Sequence, residues 1–250
     1  MAEPSPEAVK ERKRDEKGAG RLALGAWFGL FAGLLAVAIP ILVLEISKYS
    51  PSGAFTLASN SLLTSSLVIV IGGLLFLVSM MFYRSAFSKM RKLDPMLWAA
   101  TVLCYVGSIG FLLLIISAGV LAGHTNTLES CVKGPASSIL SCLEAGQPLG
   151  GFTAIVGFAC AWLGGLGIVV GLLLSSGHLA RGSIALGGLL YLIFLIIALI
   201  PFIGLIVEFP GIRYILLLLP IFIVAAPALV LLGGRSAKRH LAGPPPSTPA

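Results

Sequence analysis

The stretch that decides the fold class is IALGGLLYLIFLIIALIPFIGLIV, residues 184–207. It holds 24 residues without a charged side chain, and Tyr191 supplies its only hydroxyl group. An α-helix rises about 1.5 Å per residue, so about 20 apolar residues are needed to cross the hydrocarbon core of a bilayer. This stretch is therefore predicted to be a transmembrane helix.

Five more apolar runs of similar length occur, and each ends at charged, polar or Pro/Gly-rich sequence. The six predicted spans are about residues 22–46, 62–83, 96–121, 149–174, 184–207 and 214–232. Only 11% of the residues are charged, against about 25% in a soluble domain. Because lipid offers no partner for free backbone groups, such continuous runs form helices. The sequence therefore predicts an all-α, polytopic membrane protein, a six-transmembrane-helix bundle over residues 22–232 surrounded by lipid bilayer.

The first run has one alternative interpretation, a cleaved signal peptide. A basic segment precedes it, and Ala36-Val37-Ala38 resembles a cleavage site. The apolar sequence nevertheless continues to Ile46, well beyond the about 7–15 residues of a signal-peptide core. We therefore expect a first span that is retained.

Lys and Arg are distributed unevenly between the two sides of the predicted bundle. Fourteen of the 17 lie in the N-terminal tail, the second and fourth loops and the C-terminal tail. These are Lys10, Arg12, Lys13, Arg14, Lys17, Arg21, Arg84, Lys89, Arg91, Lys92, Arg181, Arg235, Lys238 and Arg239. Basic residues collect on the cytoplasmic side of membrane proteins, so both termini are predicted to be cytoplasmic in a multi-pass plasma-membrane protein. Nucleic acid is not an expected partner, because the basic residues lack interleaved aromatic residues.

The loop of residues 122–148 is predicted to lie outside the cell and carries Cys131 and Cys142. Disulfides persist in that compartment, and a ring of this size stabilises a fold by about 3 kcal/mol in the chain-entropy treatment. Two thiols without His or acidic partners at ligand spacing are a poor zinc site. We therefore predict a disulfide, with two free thiols as the alternative.

The N-terminal segment, residues 1–21, is charged and is predicted to be a cytoplasmic tail. Ser5 is a suitable helix N-cap, and Pro6 suits the first helical turn. A short solvated helix is expected here, ending at Gly18 and Gly20.

The C-terminal segment, residues 233–250, is rich in proline and lacks residues that build a core. Such composition favours disorder with polyproline II character. We predict a disordered cytoplasmic tail.

Small residues recur at four-residue spacing in the first and fourth spans. The members are Gly25, Gly29 and Gly33, then Gly157, Ala161 and Gly165, and then Gly167 and Gly171. Faces of this kind let helix backbones approach closely, which drives association in lipid. They indicate either an assembly interface or ordinary packing within the chain, and the sequence leaves both interpretations open.

Four prolines fall within the predicted spans: Pro40, Pro201, Pro220 and Pro227. Each removes one backbone hydrogen bond and is predicted to kink its helix. Three hydroxyl residues of the third span, Thr101, Ser108 and Ser117, are expected to donate across helices or to their own helix.

The middles of the spans carry no Asp, Glu, Lys, Arg or His. Glu45 and Glu208 lie at span ends, where an interfacial position explains them, whereas functional charges within membranes lie deeper. The sequence also lacks a G-x-S-x-G elbow and an H-E-x-x-H pair. It therefore predicts no catalytic residue, cofactor or metal. The preferred hypothesis is a non-enzymatic structural or assembly subunit, whose partners are other membrane subunits or copies of itself. The alternatives are a transporter or channel for a small neutral or lipid-like substrate and, less favoured, an interfacial enzyme using Glu45, Glu208 or His178.

Overall fold

A computed structural model describes residues 5–48, 54–91, 94–122, 148–179, 181–204 and 219–242. The helices are α1 Pro6–Lys48, α2 Ala54–Met90, α3 Leu97–Ala122, α4 Pro148–Leu179, α5 Gly182–Gly204 and α6 Leu219–Ala242. Within these ranges no strand occurs, and six helices are long and apolar enough to cross a membrane. The predicted fold class, an all-α polytopic bundle with six transmembrane helices, is confirmed.

The six helices form a closed ring. Each helix packs against its neighbours in the sequence, and α6 packs against α1 to close the circle. Across the ring, α2 also makes a smaller contact with α4. The closure brings the first and last helices of the chain side by side.

The first helix begins where the sequence predicts and ends elsewhere. The Ser5 hydroxyl accepts a hydrogen bond from the Ala8 amide at 3.3 Å, so the predicted N-cap is confirmed. The predicted end at Gly18 and Gly20 is wrong, because α1 runs without a break into the membrane segment. A Cβ atom at Gly18 would lie 2.8 Å from Cγ of Met90, so this glycine gives room for α2 instead of ending the helix.

The last helix extends further than the sequence indicates. Residues 233–242 are helical, so the prediction of disorder is wrong for these ten residues. Residues 243–250, the rest of the predicted disordered tail, lie outside the described range. Helix C-termini leave carbonyl groups without partners. Here the Arg12 guanidinium donates to the carbonyl oxygens of Leu241 at 2.8 Å and His240 at 3.4 Å. Capping from α1 therefore stabilises the end of α6.

The described interior is one continuous apolar cluster to which all six helices contribute. Its fully buried members include Leu22, Tyr83, Phe87, Leu97, Leu172, Ile184 and Val230. Because the lipid-facing surface is also apolar, such packing stabilises the fold mainly by close contact and only weakly by removing surface from water. The cluster therefore holds the six helices together mainly through close packing of their side chains.

Polar side chains in the spans bond between helices as well as within them. The Ser79 hydroxyl of α2 donates to the carbonyl of Gly25 in α1 at 2.7 Å. The Trp162 indole of α4 donates to the carbonyl of Leu195 in α5 at 3.1 Å. Interhelical bonds of this kind contribute roughly 0.6–2 kcal/mol each in membranes.

The three hydroxyl residues of α3 divide between the two predicted roles. Thr101 and Ser108 donate to carbonyls four residues earlier in their own helix, at 2.8 Å and 2.9 Å. Ser117 donates to the carbonyl of Gly150 in α4 at 2.8 Å. Only Ser117 therefore links two helices.

Candidate functional site at the basic end of the bundle

The four segments predicted to share one side of the membrane meet at one end of the ring. Arg12 of α1 bonds to the end of α6, as described above. The Arg21 guanidinium donates to the Ser85 hydroxyl of α2. His178, near the end of α4, lies 3.8 Å from the Asp94 carboxylate in the turn before α3. These contacts join all four segments into one charged surface.

Asp94 organises the turn between α2 and α3. One carboxylate oxygen accepts a hydrogen bond from the Met96 amide at 2.7 Å, which holds the start of α3. The other oxygen faces Nε2 of His178 across the end of α4. The turn and the end of α4 are therefore linked by one side chain.

Asp15 is a second carboxylate at this end, seven residues before the apolar part of α1. Burial raises the pKa of the Asp15 carboxyl, and the Glu11 carboxylate adds to the rise. Arg14 and His178 act in the opposite direction. Asp15 is therefore a partly desolvated carboxylate within a mainly basic surface.

Two arginines at this end lie over aromatic rings. The guanidinium carbon of Arg84 is 4.9 Å from the centre of the Tyr105 ring, and that of Arg235 is 5.6 Å from the centre of the Trp27 ring. Cation–π contacts of this kind contribute about 0.5–1 kcal/mol at exposed sites. They hold the two cations at the edge of the apolar surface.

Five basic side chains surround a pocket of about 680 Å³ between α1, the end of α2 and α6, which we call the α1–α6 pocket. Its charged lining consists of Glu16, Lys17, Arg21, Lys89, Arg235 and Lys238. Five cations against one carboxylate leave a formal excess of four positive charges. This is an environment that favours an anion.

A second pocket of about 730 Å³ lies between α1 and α2; we call it the α1–α2 pocket. It shares Arg21 and Leu24 with the first pocket and adds Arg84, Ser85 and Ser88. Its remaining walls are mainly apolar. Arg21 therefore lines both pockets, and its guanidinium donates to Ser85 of the second one.

The small-residue face of α1 contacts other helices of the same chain. A Cβ atom at Gly25 would lie 3.2 Å from the Ser79 carbonyl oxygen of α2. One at Gly33 would lie 2.6 Å from the Ile223 carbonyl oxygen of α6. Gly29 lies between them, and a Cβ atom added there would be 3.2 Å from the hydroxyl oxygens of Ser79 and Tyr191.

The small residues of α4 also contact other helices of the chain. Gly157, Ala161 and Gly167 lie against the backbone of α3, Gly165 lies against Leu195 of α5, and Gly171 lies against the Phe87 ring of α2. Added Cβ atoms at Gly165 and Gly171 would come within 2.6 Å of side-chain carbons. The predicted glycine faces are thus used in packing within the ring.

The tightest helix contact involves three glycines that the sequence pattern did not identify. A Cβ atom at Gly107 would lie 2.5 Å from Cα of Gly164, and one at Gly110 would lie 2.7 Å from the Gly157 carbonyl oxygen. Gly107 and Gly110 are three residues apart, so a search at four-residue spacing misses them. A helix-wide search for glycines at either spacing would have found them.

Pro227 lies inside α6, buried against α1, where an added Cβ at Gly29 would be 3.6 Å from Cβ of Pro227. Pro40, Pro201 and Pro220 fall within α1, α5 and the first turn of α6, and their side-chain surroundings lie outside the described residues. The kinks predicted at all four prolines stay predictions.

Two sets of predicted residues lie outside the described side chains. The structure does not support the disulfide between Cys131 and Cys142, since both fall outside the described ranges. Glu208 lies outside them too, and the side chain of Glu45 is not described. In the described part of the chain, Cys104 and Cys160 are free thiols, and no group of three His, Cys, Asp or Glu side chains is placed to hold a metal ion.

Comparison of the chain with protein-family models, with curated proteins and with solved structures finds no match.

Proposed function

We propose that the protein is a non-enzymatic structural or assembly subunit of the plasma membrane, with its basic end in the cytoplasm. The orientation rests on the positive-inside rule, since 14 of the 17 Lys and Arg residues belong to the four segments that meet at that end. In this proposal the ring is a rigid body. It associates with other membrane subunits, or with copies of itself, through its outer surface.

The observation that carries the proposal is the contact between the α3 and α4 backbones. Gly107, Gly110 and Gly164 allow the two helices to touch without intervening side chains. Transport by alternating access needs packed elements that move against each other. A seam made of backbone atoms cannot adjust by side-chain rotation, so it favours a static scaffold.

The packing of the described part of the interior supports the same proposal. One apolar cluster, to which all six helices contribute, occupies the part of the ring next to the basic end. A pathway for a polar solute through that part would have to displace buried side chains such as Phe87 and Leu172, both 0% exposed.

One observation favours the transporter alternative. The Tyr83 hydroxyl is buried next to the Tyr191 hydroxyl, and among the described residues no hydrogen bond of good geometry reaches it. Its ring lies edge-on to Tyr191, with 6.5 Å between centroids. A small hydrogen-bonding substrate between the helices would give this hydroxyl a better-aligned partner than Tyr191.

The experiment that separates the two proposals examines the assembly of the full chain in mild detergent and in native membranes, and its transport activity in liposomes. A structural subunit is expected to run as an assembly of fixed stoichiometry by light scattering, and to be captured as that same assembly by cross-linking in native membranes. A folded, solitary monomer under both conditions would contradict the proposal. Solute flux in liposomes that is reduced by Tyr83→Phe, with the fold intact, would support the transporter instead.

A further inference from the structure

We propose that the α1–α6 pocket binds the headgroup of an anionic phospholipid, with affinity rising with the number of negative charges on the headgroup. This inference does not depend on the structural role proposed above. It rests on charge, on the positions of the cations and on the apolar surface that continues from the pocket.

The residues that the structure describes compensate only a small part of the pocket's positive charge. Among the described residues, no carboxylate lies within 4.0 Å of the basic groups of Lys17, Arg21, Lys89, Arg235 or Lys238. Glu16 is the single acidic side chain in the lining. A bound anion would therefore relieve repulsion between neighbouring cations as well as form new ion pairs.

Three of the five cations are held in place by contacts already present. Arg21 donates to the Ser85 hydroxyl, and Arg235 lies over the Trp27 ring. The aliphatic stem of Lys238 lies along α1 at Gly20, where an added Cβ would be 3.6 Å from Cδ of the lysine. Side chains ordered before binding lose less conformational entropy when the ligand arrives.

The apolar part of the pocket indicates a lipid instead of a soluble phosphate. Leu24 and Trp27 line the pocket and are 46% and 39% exposed. The same face of α1 continues through Phe31 and Leu34, which are 44% and 47% exposed. Trp is enriched at the depth of lipid headgroups. A ligand with a charged head and an acyl chain would therefore match the pocket and the strip beside it.

The energetics favour a headgroup with several charges. Each basic residue near an anionic headgroup contributes about 1 kcal/mol of attraction, and basic pockets between transmembrane helices bind polyanionic headgroups in this way. Five cations around a pocket of about 680 Å³ offer more positive charge than one phosphate group neutralises. We therefore expect cardiolipin, with two phosphates, to bind more tightly than phosphatidylglycerol, with one, and phosphatidylcholine to bind least.

The test measures binding of these three lipids to the full chain in detergent, by native mass spectrometry and by the shift in unfolding temperature. Arg235→Gln/Lys238→Gln removes two cations from the pocket and is expected to weaken cardiolipin binding by about 10- to 30-fold. Lys13→Gln/Arg239→Gln removes the same charge from residues at the same end that do not line the pocket, and it is expected to change binding little. If the first variant does not fold, Lys17→Gln/Lys89→Gln replaces it with the same expectation.

Three results would overturn the proposal. Equal binding of cardiolipin and phosphatidylcholine would show that headgroup charge is not recognised. An equal loss in the pocket variant and in the control variant would assign binding to diffuse charge at this end of the bundle. Inorganic phosphate that binds as tightly as the lipid would assign the pocket to a soluble anion.

Discussion

Gly110→Ala is expected to lower the free energy of unfolding by about 3 kcal/mol or more, the upper end of what overpacking costs. The new Cβ would lie 2.7 Å from the Cys160 carbonyl carbon and from the Gly157 carbonyl oxygen, and closer still to the Ala161 nitrogen. All three atoms belong to the α4 backbone, so only a separation of α3 from α4 relieves the clash. Unfolding followed by circular dichroism in mild detergent measures the loss.

Gly119→Ala is the matched control, because Gly119 lies on the same helix and an added Cβ there has nothing within 4 Å. This change is expected to leave stability unchanged or to raise it by up to about 1 kcal/mol through helix propensity. Equal stability of the two variants would contradict backbone contact between α3 and α4.

Phe87→Ala is expected to lower the free energy of unfolding by about 3 kcal/mol, the lower end of the range for phenylalanine in soluble cores. The lower end applies because lipid already surrounds apolar groups, which leaves the lost packing contacts as the main term. Phe87 is fully buried, its ring stacks on Tyr83 at 6.1 Å between centroids, and it fills the space left by Gly171.

Phe31→Ala is the control for this prediction, since Phe31 is 44% exposed on the lipid-facing surface. Thermal unfolding of both variants in the same detergent is the measurement. A loss at Phe31 as large as that at Phe87 would mean that the interior cluster is not the main source of stability.

The fold class was predictable from the sequence because the requirement of the bilayer is simple. A run of about 20 apolar residues can satisfy its backbone groups in lipid only as a helix. The helix ends were harder to predict, since this rule describes only the part of each helix within hydrocarbon. The start of α1 and the end of α6 are charged, yet they stay helical because they pack against each other through Arg12 and Lys238.

The partners of the glycines could not be predicted from spacing alone. Gly164 and Gly165 are adjacent in sequence, yet Gly164 faces Gly107 of α3 and Gly165 faces Leu195 of α5. Which neighbour each residue meets depends on the order of helices around the ring. That order includes the contact of α1 with α6, a long-range feature that no local pattern specifies.

The candidate site was also only partly predictable. The distribution of lysines and arginines along the sequence predicted their side of the membrane, but it did not predict the distances between them. Lys17, Lys89 and Lys238 line one pocket only because three helix ends meet there. Closure of the ring therefore brings these lysines together around the pocket that we propose binds a lipid headgroup.

Labelling of lysines on intact cells with an amine reagent that cannot cross the membrane tests most directly whether the basic end of the ring lies on the cytoplasmic side. The account predicts that Lys133 is modified on intact cells, whereas Lys17, Lys89 and Lys238 are modified only after permeabilisation. Modification of Lys17 and Lys238 on intact cells, or different protection of these two, would contradict it.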